Sequence, residues 1–180
     1  MALESNNVRV GGGAGVTGEV FVGPTTATPP ATAAAATTGY TGLGYISENG
    51  IERTPERKTK DIVAWQNGAV VKTVVDGAAK VTLKFTLIET NKDSIEFAFG
   101  TTVTQTATEG TYSADPGATG GRKSFVFDTI EGANLRRETF EGELTVLGAT
   151  KFAAGEPIAY ECEVTAYTVP QVHDTGLKTP

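Results

Sequence analysis

The chain of 180 residues reads as mainly β: an antiparallel sandwich- or barrel-like domain with one short flanking helix at about residues 91–99. Three features lead there. Several segments alternate apolar and polar side chains, as strands buried on one face do. Turn signals built from Gly, Asn and Asp separate those segments. A helical repeat framed by start and stop signals occurs only once.

Along the chain, residues 1–15 are polar and Gly-rich and read as a flexible arm. Gly18–Val22 is the first expected strand, stopped by Gly23-Pro24. "TTATPPATAAAATTGYTG" (25–42) is a low-complexity loop, in which Pro29-Pro30 blocks a helix and the alanines are too few to hold one. "ISENGIERTPERKTKD" (46–61) is dense in both signs of charge and predicts a long exposed loop over 47–60. Asn67-Gly68, between "DIVAWQ" and "AVVKTVV", predicts a two-residue type I′ hairpin turn, and Asp76-Gly77 a second one. Val81, Leu83, Phe85 and Leu87 then alternate with Lys80, Thr82, Lys84 and Thr86 as one half-buried strand. Thr90 with Asp93 three residues later suggests a capping box, Ile95, Ala98 and Phe99 follow at helical spacing, and Gly100 stops the helix. So short a helix must pack on a sheet to persist. "TTVTQTATEGTYSADPGATGGRK" reads as a weak strand and a Gly/Pro loop; "SFVFDTIEG", "RRETFEGELTVLG" and "PIAYECEVTAYTV" are further strands. In the second of these, Phe140, Leu144 and Val146 are expected on one face and Thr139, Glu141, Glu143 and Thr145 on the other. The expected partition is an arm (1–15), a β domain (16–168) with mobile loops at about 24–42 and 47–60, and a C-terminal extension (169–180).

This length suits a single domain that buries roughly 70% of its unfolded surface. A net charge of -6 and a pI near 4.9 argue against clamping nucleic acid, yet suit a surface that DNA must slide past. Cys162 and His173 are the only residues of their kinds, so no intramolecular disulfide or cysteine metal cluster can form. No leader, apolar run near 18 residues or N-x-S/T site is present, and the expectation is a soluble protein made in a reducing cytoplasm.

Several motifs suggest chemistry and fail on context. Gly13–Gly18 spell G-A-G-V-T-G, which fits the dinucleotide fingerprint, but a strand stopped by Pro24 follows where a helix is required. The run reads as a hinge for the arm. "GATGGRKS" (117–124) has the wrong spacing for a phosphate loop and reads as a connection between strands. No Ser-His-Asp or Cys-His set can be assembled, and Cys162 alternates inward as a small core residue. A glycosidase pair drawn from Glu141, Glu143, Glu161 and Glu163 lacks an aromatic platform. If their strands are neighbours, those glutamates form an acidic stripe, whose repulsion Lys80 and Lys84 offset in part by cross-strand or inter-subunit pairing. Neither catalytic residues, cofactor nor metal are expected. Trp65, beside the Asn-Gly turn, is either core or an interface anchor.

The marks "GYISENGI", "ERKTKDIVAWQNG" and "FTLIETNK" resemble the major tail protein, or tail tube subunit, of long-tailed bacteriophages, and more narrowly those infecting actinobacteria. The resemblance covers roughly residues 8–168. It implies a β-sandwich-like subunit that forms rings of six, stacked into a hollow tube whose hairpins line the channel. Residues 47–60 would then be an inter-ring loop and 1–15 an arm reaching a neighbour. On that basis Val8, Arg9, Glu48, Glu52, Arg53, Glu56, Arg57, Lys58 and Trp65 are candidates for inter-subunit or inter-ring contact. Strands around 61–89 and 138–147 would be candidates for the channel wall, with Lys80, Lys84, Glu141 and Glu143 facing the lumen. The implied partners are further copies of the chain, a tape-measure protein, a tail terminator and distal tail or baseplate proteins. DNA would transit without specific binding and no membrane would be involved; the protein would be made in the host cytoplasm and reside in the virion tail. The competing class is a monomeric immunoglobulin-like capsid decoration or carbohydrate-binding module; an enzyme would need a convergent site that the sequence does not offer.

Overall fold

The computed structural model describes residues 18–77 and 80–177. The expected arm, with Val8 and Arg9, lies outside the described residues, as does the Gly-rich run up to Thr17.

In chain order the elements are β1 (Gly18–Gly23), β2 (Thr41–Gly42), β3 (Ile46–Glu56), β4 (Thr59–Val63), β5 (Val70–Val75), β6 (Lys80–Leu87), α1 (Lys92–Phe99), β7 (Thr104–Gln105), β8 (Gly110–Thr111), β9 (Lys123–Glu131), β10 (Asn134–Leu147), β11 (Tyr160–Ala166) and β12 (Gln171–Asp174). One antiparallel sheet runs β2-β1-β9-β10-β11-β6-β3, with β12 also on β10. Its end strands β2 and β3 do not meet, so the sheet is not a closed barrel. The mainly antiparallel β fold with one helix is as the alternation predicts.

The long strand β10 organises the sheet. Asn134–Gly142 pair with β9, and Gly142–Leu147 pair with β11. Gly142 therefore belongs to both ladders, and a Cβ there would collide with the carbonyl oxygen of Thr165. About this strand the two wings turn to face each other. Phe85 of β6 meets Phe127 of β9 edge-on at 5.6 Å, and Arg53 of β3 donates from Nε to Glu138 Oε1 of β10 at 2.8 Å. The enclosed core holds Val20, Leu83, Phe85, Leu87, Phe125, Phe127, Phe140 and Val164. Each such side chain contributes about 1.5–3 kcal/mol when fully buried.

Helix α1 closes one side of this core with Ile95, Phe97 and Ala98. Its cap lies one residue later than Thr90/Asp93 suggests. Asn91 accepts from the Ser94 N–H at 2.8 Å while Ser94 Oγ accepts from the Asn91 N–H at 3.0 Å. Asn91 outcompetes Thr90 because Glu89 Oε1 accepts from its amide and holds it in the capping position. Gly100 ends the helix at φ 59°, as expected.

Further expectations are corrected. Residues 47–60 are strand rather than loop for most of their length, paired in β3 and β4. Val146 does not share the inner face of Phe140: a bulge between Leu144 and Val146 sets Val146 opposite Glu163 on the outer face and brings Leu147 inward against the core. Asp76-Gly77 do not turn a hairpin, since β5 pairs with β4 and β6 with β3. Residues 171–174, assigned from sequence to an extension, form β12 on β10. The 25–42 segment contributes β2 and buries Ala33 against the body.

Candidate assembly surface

Strands β3 and β4 run beside β6 and β5 as one long interrupted hairpin. The ladder from Ile51↔Phe85 to Glu56↔Lys80 resumes at Thr59↔Val75 and ends at Val63↔Val70. Between the two parts, the Asp76 N–H donates to the Lys58 carbonyl at 2.9 Å and keeps the halves aligned. Among the described residues, the distal half, β4–β5, pairs with no other strand. It extends about 20 Å at the usual strand rise.

A two-stranded ribbon with neither face covered is marginal in water. Here it is rich in β-branched residues: Ile62, Val63, Val70, Val71 and Val75 are all exposed. Pairing separates its faces. Val63, Val70, Val75 and Asp61 fall on one, where Thr73 Oγ1 donates to Asp61 at 2.6 Å; Lys60, Lys72, Ile62 and Val74 fall on the other.

At the tip, the expected two-residue type I′ turn is replaced by a four-residue loop, Trp65–Gly68. The Gly68 N–H donates to the Ala64 carbonyl at 2.9 Å, and Asn67 Oδ1 accepts from Ala69 N at 3.0 Å. Only Gly68 has positive φ, 69°, so type I′, which needs two such residues, is excluded. Asn67 spends its side chain on the loop instead. Trp65 is 96% exposed, which removes the core reading for it.

The other candidates are placed as follows. Glu48, Glu52 and Glu56 are exposed along β3, whose outer edge pairs with no strand among the described residues; Glu52 stands opposite Lys84 and Glu56 opposite Lys80. Arg53 turns inward to its ion pair with Glu138. Arg57 and Lys58 occupy the joint between β3 and β4. Lys80, Lys84, Glu141 and Glu143 share the outer face of the main sheet by register. The glutamates on this face do not form a bare repelling stripe. Glu163 pairs with Lys84 at 3.2 Å, Glu141 with Arg122 at 2.7 Å, and Glu143 accepts from Tyr167 Oη at 3.1 Å. Burial and the Glu143 hydrogen bond both push the Tyr167 phenol up, so it stays a donor.

Sequence reasoning missed the buried pair beneath the 25–42 segment. Arg137 donates from Nε and Nη2 to both oxygens of Asp128 at 2.8 and 2.7 Å, and from Nη1 to the carbonyls of Thr32 and Ala35. It also missed the valines of the ribbon, although their run "AVVKTVV" is β-branched on both faces.

No group of three or more potential metal ligands exists among the described residues. Burial pushes the Cys162 thiol up to about 12, far from a nucleophile's range. No helix among the described residues is long and apolar enough to cross a membrane. No curated protein matches the chain. A protein-family model described as phage tail tube protein matches residues 1–170. A match over nearly the entire chain, on a curled antiparallel β domain with a projecting hairpin, shows that the protein belongs to the phage tail tube family, as a structural component of the virion tail.

Proposed function

We propose that this subunit self-assembles into rings of six that stack into a hollow tube, the conduit through which phage DNA leaves. The β4–β5 ribbon carries this reading: among the described residues it is backbone-paired only to itself, and it exposes five apolar β-branched side chains. Neighbouring subunits would cover it, and the unpaired edge of β3 offers a ladder for ring closure. In this reading Glu48, Glu52, Glu56, Arg57, Lys58 and Trp65 meet neighbouring copies, and the arm with Val8 and Arg9 bridges rings. On the outer face, Glu141 and Glu143 are the candidate lumen wall, while Lys80 and Lys84, opposite Glu56 and Glu52 of the β3 edge, lie at the surface that meets neighbouring copies. A body with acidic surplus suits passage of DNA without retention. The tape-measure, terminator and distal tail proteins are further partners. Negative-stain microscopy of the purified protein tests the assembly directly. Tubes or six-fold rings are expected, and a strictly monomeric species at high concentration would refute it.

A further inference from the structure

Charge is segregated along this chain. Residues 57–75 carry Arg57, Lys58, Lys60 and Lys72 against the single carboxylate Asp61, in a chain whose net charge is -6. None of those cations takes part in an ion pair with another described residue. Asp61 is already occupied by Thr73. The projecting ribbon is thus a basic arm on an acidic body.

The body carries a matching surface. A groove of about 360 Å³ opens on the outer face of the main sheet, between the bulge of β3 at residues 47–50 and the bulge of β10 beyond Leu144. Glu52, Glu161 and Glu163 line it, with Lys84 as the only cation among the described residues. Lys84 is committed to Glu163, which leaves Glu52 and Glu161 exposed and without an ion-pair partner among the described residues. Val146, turned outward by its bulge, gives the groove a half-exposed apolar side. The ribbon's basic face presents the complement, two lysines flanked by Ile62 and Val74. The ribbon cannot fold back onto its own groove, because its ladder continues that of β3 and β6 away from the bulges.

We propose that the Lys60/Lys72 face of one copy's β4–β5 ribbon docks in the Glu52/Glu161 groove of a second copy. This rests on the self-assembly reading and names the two surfaces that meet. Complementary charge sets register and encounter rate, and the Ile62–Val146 contact excludes water around it.

The test is charge exchange. K60E/K72E and E52K/E161K change only exposed side chains, so circular dichroism and melting should match the unaltered protein. Light scattering and negative stain then follow assembly. Each variant alone should need about tenfold more protein, or more, to assemble, because attraction is replaced by repulsion. A mixture of the two should recover assembly, since each supplies the surface the other lacks. Assembly of the unaltered protein should also weaken between low and high salt. Normal assembly of either variant alone, or a mixture no better than its parts, overturns the docking while leaving self-assembly intact. Failure of the unaltered protein to assemble would instead sink the self-assembly reading, and the docking with it. If K60E/K72E assembles normally but loses retention of double-stranded DNA, the basic face serves a polyanion and the docking is refuted.

Discussion

Glu19 stands opposite Asp128 in the β1–β9 ladder, and burial, together with that second carboxylate, pushes its carboxyl above the usual glutamate range. The unfolded chain therefore releases this proton at a lower pH than the folded chain does. Between the two values the folded state holds a proton that the unfolded state has lost, so stability falls as pH rises through that window. At neutral pH the ionised Glu19 is a cost, and Glu19→Gln should raise the melting temperature slightly, by no more than about 2 °C. The gain should vanish below the unfolded pKa; scans at pH 4 and pH 7 check both. Arg137 is the larger matter. Its loss in Arg137→Met leaves Asp128 buried without its partner, and urea unfolding should show a cost of about 3–5 kcal/mol. This pair was not legible in the sequence. Asp128 alternates away from Phe125 and Phe127, which reads as a solvated face, and nothing local says that an Ala-rich segment folds over it. Cys162 was legible, since alternation alone places it inward. With its thiol pushed up to about 12, it should react with thiol reagents only as fast as the protein unfolds.

At the scale of elements, the strands that bury one face were readable and those that bury neither were not. β6 and β11 announce themselves by alternation against a core, and β9 by the apolar run Phe125–Phe127, which is buried on both faces. β3 carries Glu48, Glu52, Arg53, Glu56 and Pro55, a composition that reads as loop. It is an edge strand, where charges and proline are tolerated and guard against stray pairing. The bulge in β10 was hidden for another reason: one extra residue changes the face of everything beyond it, and no composition marks the insertion point. Gly68 gives a clean test at this scale. At φ 69° a valine would be strained by about 1–2 kcal/mol. Hydrogen exchange should therefore quicken across β4–β5 in Gly68→Val. The global melting temperature should move by less than about 2 °C, because the ribbon contributes nothing to the core. A large global drop would mean that the ribbon supports the body after all.

For the whole molecule, the antiparallel class followed from alternation and turns, while the strand order did not. β1 beside β9 and β6 beside β11 are long-range pairings without a local signal. The surface was half legible for a related reason: composition reveals charge, but only topology separates a basic ribbon from an acidic body. The core cluster among the described residues runs from Val20 to Ala166. Residues 1–12 are polar and Gly-rich and have little apolar surface to bury, so their removal should leave monomer melting within about 2 °C of the full chain. Under the tube reading, the same deletion should shorten or abolish stacking in micrographs. A large loss of monomer stability would contradict that division of labour.

The lone tryptophan at the tip of the ribbon has an optical consequence. Because Trp65 is 96% exposed and has no second indole to mask it, the protein's tryptophan fluorescence reports on the arm and not on the core. A free subunit should emit at the long wavelengths of a hydrated indole, and packing of the tip against a neighbour should shift emission to the blue. Polymerisation would then carry its own dye.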